Sequence, residues 1–219
     1  MVGWEYLLVR YEADETVLAD LIPSGVEPMP GGGIGFEWCR TLVRPTGKGR
    51  IDASVVLPCL YRGHAVGLQL RHYCDQLRPA RLKAGVICDG GPDFYAKLLT
   101  SPQLRMGTLH DGETLVTAAI LSSGATGSSL GQEQARRWLA LPRVALAELD
   151  NQNWLACSDR QLTFERNGAV TFEQRAAPSG AFVAPAVNRL LYGQFFKASP
   201  DVHHRVNGSR GRERSLSHL

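Results

Sequence analysis

Two carboxylates, Glu37 and Asp52, sit inside strand-like runs rather than in loops. A carboxyl group turned into a closed interior is desolvated and its pKa rises, and a second carboxylate beside it drives the two values apart. One protonated donor and one ionised acceptor then coexist near neutral pH. Such a pair can protonate one end of a substrate and deprotonate another, or polarise a carbonyl. That is the chemistry of enolisation, dehydration, double-bond migration and cyclisation. Strand alternation puts Glu37 on one face with Cys39 and Thr41, and Asp52 on one with Ser54 and Val56; both faces are semi-apolar, as a pocket wall should be. A plain hairpin centred on Gly47–Gly49 does not set the two acids directly opposite, so their approach depends on the loop. On pattern alone, each acid also fits an ordinary solvent-facing strand position.

Other chemistry-bearing residues form no recognisable set. His64, His72 and His110 are far apart and lie in no H-x-x-x-H or H-x-H arrangement, so no metal site is expected. His72, between Arg71 and Tyr73, reads as a surface strand position. The five cysteines contain no C-x-x-C pair and read as reduced thiols, mostly small core residues. Gly31–Gly35 leads into a strand rather than a helix and is no phosphate loop, and the run Ser122–Gly131 holds no nucleophile elbow.

The elements that must position these side chains are mostly strands. Glu5–Tyr11, Ile34–Val43, Ile51–Pro58 and Ala65–Cys74 are rich in β-branched, aromatic and leucine residues, with turn signals at Pro28–Gly33, Pro45–Gly49 and Arg62–Gly63. Gln103–His110, Thr114–Ser122, Arg143–Leu149 and Asn153–Ala156 continue the pattern. Gln161–Arg166 and Ala169–Gln174 read as a hairpin across Asn167-Gly168, a dipeptide suited to a type I′ turn. Helices are few: Glu15–Leu21 capped by Asp14, an amphipathic Gln132–Leu141 with Ala135, Trp138 and Leu139 on its apolar side, and a third over Ala186–Phe196.

At 219 residues, 44% hydrophobic and 21% charged, the chain fits one β-rich globular domain over residues 1–199, followed by a solvated, disordered basic tail at 200–219. A formal charge of +3, with acids and bases otherwise alternating, gives no basic stripe for nucleic acid. No run approaches the roughly 18 apolar residues of a membrane span. The opening residues MVGWEYLLVRYEADE lack a signal peptide's clean apolar stretch, so a cytoplasmic location is the expectation.

The order of several segments carries a resemblance. EYLLVRYEADETVLADLIPSGVEP, Phe36-Glu37, the stretch GRIDASVVLPCLYRGHAVGLQLRHYCD with its acid, six-residue step to proline and terminal Tyr73-x-Asp75, then Gly107-Thr108-Leu109 and Leu141–Leu149, follow one another as in a known family. On these segments the chain resembles the acetoacetate decarboxylase-like superfamily. The resemblance implies a mainly β fold, a cone-shaped antiparallel double-psi-type barrel with a few short helices. It also implies a pocket for a small-molecule substrate, with no cofactor. Glu37 and Asp52 fall where the family places two pocket glutamates. Trp4 falls at or near a carboxylate-recognising arginine, and Arg71, Tyr73, Cys88, Asp89 and Gly91 fall where a pocket lining is expected.

The departures are as informative. The family carries a Pro-Lys-Lys run whose first lysine forms a Schiff base with a ketone; this chain reads Gly90-Gly91-Pro92 there. A Schiff base needs an unprotonated primary amine, which glycine and proline lack. Lysines and arginine therefore go while the two acids stay, which implies a less cationic pocket. The leading expectation is a cofactor-free enzyme of secondary metabolism, a lyase, isomerase or cyclase using Glu37 and Asp52 on a polyketide-like or other hydrophobic substrate. A non-catalytic binding protein is the second reading, and imine chemistry through a displaced Lys83 or Lys97 the third. Exposed strand edges leave a homo-oligomer open.

Overall fold

The computed structural model describes residues 2–31, 33–43, 49–74, 94–121, 129–146, 149–150, 160–176 and 183–200. Within them the strands are β1 (Val2–Glu12), β2 (Val26–Pro28), β3 (Ile34–Val43), β4 (Ile51–Tyr61), β5 (His64–Cys74), β6 (Phe94–Thr100), β7 (Leu104–Asp111), β8 (Glu113–Leu121), β9 (Arg143–Ala145), β10 (Arg160–Asn167), β11 (Ala169–Gln174) and β12 (Arg189–Pro200). The helices are α1 (Glu15–Leu21) and α2 (Ser129–Ala140). The predominance of strands agrees with the expected β-rich class. The strands form two sheets, ordered β10-β12-β1-β3-β4-β5-β9 with β2 added to β4, and β11-β8-β7-β6, rather than one closed barrel.

Period-two alternation sorts the large sheet into two faces. On one, Leu7, Val9, Phe36, Trp38, Val55, Leu57 and Leu68 meet Leu109, Val116, Ala118 and Ile120 of the small sheet in the main core. The Trp38 indole N–H donates to the Thr108 carbonyl at 3.1 Å and so ties the two sheets together. On the other face, Tyr6, Leu8, Val56, Phe196 and Ala198 form a second cluster, covered by Ala135, Trp138 and Leu139 of α2. The sheet is therefore covered from both sides where α2 and the small sheet pack on it.

That double burial explains one overturned expectation. Ala186–Phe196 is not a helix: most of it belongs to β12, which pairs with β1 on one side and β10 on the other. Phe195 faces the main core and Phe196 faces α2, so a strand sealed on both faces gives no clean alternation to read. The hairpin at Asn167-Gly168 is also absent. β10 pairs with β12 in the large sheet and β11 with β8 in the small one, so the chain crosses between sheets there. Neither residue adopts the positive φ of a type I′ turn; Arg62 (φ 50) and Gly63 (φ 79) do, joining β4 to β5.

The Asp14 carboxylate caps α1, accepting from the Thr16 N–H at 2.8 Å, and the helix ends before Pro23 as expected. Arg143–Leu149 shortens to the three residues of β9, while β6 has no counterpart among the expected strands. Asn153–Ala156 and residues 201–219 lie outside the described residues. Cys39 and Cys59 are free thiols, but Cys74 is held in a disulfide, which corrects the expectation of uniformly reduced cysteines. No helix among the described residues is long and apolar enough to cross a membrane.

Candidate functional site

The face under α2 carries the polar chemistry, in two rows that run across the strands. One row reads Tyr6 on β1, Cys39 on β3, Asp52 on β4 and Cys74 on β5; the next reads Leu8, Glu37, Ser54 and His72. Glu37 and Asp52 thus point from adjacent strands to the same side, one row apart. Diagonal neighbours of this kind lie about 7–8 Å apart. The register between β3 and β4 brings the two acids into one neighbourhood, though not directly opposite each other.

Glu37 is 4% exposed and fully engaged. Arg143 donates to it with both arms of its fork, Nε to Oε1 at 3.1 Å and Nη2 to Oε2 at 2.9 Å, and the Trp138 indole N–H donates to Oε2 at 2.7 Å. Trp138 reaches down because the strand beneath it offers no side chain: a Cβ at Gly35 would collide with the indole ring. Guanidinium groups flank that ring, Arg10 at 4.8 Å and Arg143 at 4.7 Å from its centroid. Burial pushes the Glu37 carboxyl upward, but the Arg143 charge, its hydrogen bonds and the Trp138 N–H outweigh it and leave the pKa below the usual value. The expectation of a raised, proton-sharing carboxyl therefore fails at Glu37, because a cation from a distant part of the chain reaches it first.

Asp52 is more open, its side chain 17% exposed, and accepts from Arg50 Nε at 2.5 Å. Beside it, the Ser54 hydroxyl lies 2.9 Å from His72 Nδ1, and Arg50 Nη2 lies 3.5 Å from His72 Nε2. His72 is thus on the site face. On the other side of Glu37, Arg160 donates to the Tyr6 hydroxyl and stacks over Trp4 at 4.6 Å. Burial raises the Tyr6 phenol well above its ordinary value, and burial reinforced by the Glu37 charge pushes the Cys39 thiol up to about 12. Both remain neutral hydrogen-bonding groups at physiological pH.

A groove of about 390 Å³ opens between α2 and β10, lined by Arg136, Leu139, Ala140, Arg160, Gln161 and Leu162. A smaller recess bounded by Leu139, Leu141, Arg143 and Arg160 adjoins it. Arg143 and Arg160 therefore stand where the groove meets the Glu37 cluster. The expected cation-poor pocket is corrected on this point: arginines are lost from the family positions but supplied by β9 and β10.

Of the sequence-derived lining residues, Trp4 joins the site beside Arg160. Tyr73 does not: it packs in the main core, stacked on Phe94 at 5.3 Å, with its hydroxyl donating to the Val183 carbonyl. Alternation puts Arg71 on the Tyr73 side of β5 rather than the His72 side, its guanidinium donating to the Leu70 carbonyl. Cys88, Asp89 and Gly91 lie outside the described residues, as does Lys83. Lys97 is exposed on β6 of the small sheet, over the Tyr95 ring at 5.1 Å. Tyr6, Trp138, Arg143 and Arg160 are site residues that the sequence alone does not single out. The alternation Trp4-Tyr6-Leu8-Arg10 marks a semi-polar face, but nothing local links Arg143 or Arg160 to it. Among the described residues, no three His, Cys, Asp or Glu side chains group as metal ligands.

No family model and no curated protein matches this sequence. Solved structures do match its fold. Acetoacetate decarboxylase from Legionella pneumophila aligns with a TM-score of 0.66 at 16% identity, over 90% of this chain and 81% of that one. The chain has the acetoacetate decarboxylase-like fold. The enduracididine biosynthesis enzyme MppR, complexed with pyruvate, aligns at TM-score 0.60 and 14% identity over 90% and 85% of the two chains. An acetoacetate decarboxylase-like enzyme from Sphingomonas wittichii aligns at TM-score 0.60 and 14% identity over 90% and 88%.

Proposed function

We propose that the protein is a cofactor-independent enzyme that enolises a small carbonyl substrate bearing an acidic group, and so isomerises, dehydrates or cyclises it in the groove under α2. The observation that supports this reading is the joint placement of Glu37, Asp52, Tyr6, Arg143 and Arg160 on or above one sheet face. Arg160 and the neutral Tyr6 hydroxyl are donors suited to a carbonyl oxygen that gains charge as it enolises. Asp52, the more open acid, takes the proton from the adjacent carbon, and His72 beside Ser54 relays it. Glu37 begins as a locked, weak base. When a substrate anion draws Arg143 toward the groove, the lowering influence on Glu37 falls, burial dominates, and the group becomes able to carry a proton. Neighbours on this fold include a decarboxylase and an enzyme complexed with pyruvate, which supports a small carbonyl compound as substrate.

Deuterium incorporation from heavy water into a panel of α-keto and β-keto acids, followed by NMR, tests the reading whatever the final product is. The native protein should exchange a carbon-bound proton of at least one compound. Glu37→Gln and Asp52→Asn should each slow that exchange by about 10²-fold. Parental rates in both variants sink the carboxylate mechanism. Both Glu37 oxygens are occupied, which favours a second reading, a non-catalytic binding protein; binding with no exchange by any compound would select it. Borohydride trapping with the same panel addresses imine chemistry, and a labelled Lys83 or Lys97 would replace the proposal with a displaced-lysine mechanism.

A further inference from the structure

The small sheet packs one face on the large sheet and leaves the other open. Alternation sends Leu98, Gly107, Ala118 and Phe172 inward, Gly107 so closely that a Cβ there would collide with the Trp38 indole. The residues between them point outward, and two of them are large and apolar: Leu99 is 54% exposed and Leu121 59%. Contiguous apolar residues on an open face mark an interaction surface.

Register aligns the outward residues into rows that cross the strands. One row is Leu99, Met106, Ala119 and Thr171, and beside it stand Leu104, Leu121 and Ala169. Together they make a largely apolar band. The row on the other side of Leu99 is Lys97, Thr108, Thr117 and Glu173. It begins with a cation on β6 and ends with an anion on β11, and both side chains are exposed. Lys97 lies over the Tyr95 ring at 5.1 Å, and among the described residues neither it nor Glu173 has an ion-pair partner.

That arrangement is complementary to itself. A two-fold axis between β7 and β8, parallel to them, sets β6 of one copy over β11 of a second and β7 over β8, row on row. Lys97 then meets Glu173 of the second copy at both ends of the contact, Met106 covers Ala119, and Leu104 covers Leu121. Opposite charges and large-on-small pairs are what an isologous interface requires. Aligned sheets pack about 10 Å apart with their strands within about 30° of each other, which this axis allows. Edge-to-edge pairing through β6 is disfavoured by Lys97 itself, since a lysine on an edge strand opposes it. We propose that the outer face of β11-β8-β7-β6 is the interface of a homodimer, two copies packing it face to face. From strand spacing and rise the face measures roughly 19 Å by 24 Å. Both copies together then bury on the order of 1,000 Å², the lower limit for a specific interface, so the dimer dissociates in the micromolar range. The groove under α2 lies on the far side of the large sheet and stays open.

Sedimentation velocity of the full chain from about 1 to about 200 µM should show a monomer–dimer equilibrium. Lys97→Glu and Glu173→Lys should each weaken the dimer by about tenfold or more, since each reverses two symmetry-related contacts. The double variant Lys97→Glu/Glu173→Lys should recover the native association, because the swapped charges meet again across the axis. Leu121→Glu, at an exposed position where urea unfolding should be unchanged, should give monomer throughout. A native protein that stays monomeric across this range gives the face to another partner and overturns the homodimer. A dimer indifferent to the single charge reversals or to Leu121→Glu, or one that the double variant fails to restore, overturns the interface.

Discussion

Replacing Arg143 by methionine probes the ion pair at the centre of the site. Glu37 would keep its burial and its Trp138 hydrogen bond but lose a two-armed cation whose side chain is itself only 18% exposed. Removing one partner of a buried pair costs about 3–5 kcal/mol, because the remaining charge is left uncompensated. For a chain of this size that lowers the melting midpoint by about 6–20 °C. Arg160 stays, and its more distant charge softens the loss without replacing the hydrogen bonds. The pH dependence gives the sharper test. In the native protein the folded pKa of Glu37 is depressed, so its contribution is present above the unfolded value and lost as pH falls through the folded one. In the variant, burial acts nearly alone and raises the folded pKa, so the penalty is greatest near neutral pH and shrinks as Glu37 takes up a proton on acidification. Urea unfolding from pH 4 to pH 8 reads this directly. The double variant Glu37→Gln/Arg143→Met should recover most of the loss, since a buried pair replaced by neutral groups is often tolerated. A penalty below about 1 kcal/mol, or one constant across that range, refutes the assignment of Glu37 as a buried carboxylate held ionised by Arg143.

Three further outcomes follow from the same geometry. Gly35→Ala puts a methyl group against the Trp138 ring, so it should destabilise by about 1–3 kcal/mol in chemical unfolding and loosen α2, seen as faster amide exchange across that helix. Cys39, partly buried and with its thiol pushed up to about 12, should resist iodoacetamide at pH 8 in the folded protein and react once urea unfolds it. Tyr6→Phe should slow the proposed exchange reaction by about 10²-fold while leaving the stability within about 1.5 kcal/mol, measured by NMR exchange and urea melts on the same preparation.

What the sequence discloses and withholds follows from the range of the interactions involved. The shared side of Glu37 and Asp52 is readable, because alternation along β3 and β4 is a local property and the hairpin between them is short. The fold is readable from the order of its segments. Arg143 is not, since its meeting with Glu37 spans 106 positions and depends on where α2 delivers the chain to β9. Tyr73 looks like a pocket residue beside the acids, yet a single step of alternation turns it from the His72 side into the main core. β12 resembles a helix in sequence because sealing on both faces erases the periodicity that identifies a strand. Asn167-Gly168 suggests a hairpin because its turn chemistry is local, and that chemistry yields to a crossover between sheets.

The position of β12 also bears on how the chain is made. The last described strand is inserted between β10 and β1, so β1 finds one of its two neighbours only when Arg189–Pro200 arrives. During synthesis β1 can pair with β3 early, but its other edge and the edge of β10 stay bare until Arg189–Pro200 has emerged. Pairing so distant in sequence is slow to form, and unpaired edges invite association with other chains. A nascent chain that stalls before Arg189 would carry two open edges flanking a missing strand, the form most exposed to aggregation or to rescue by a segment supplied from outside.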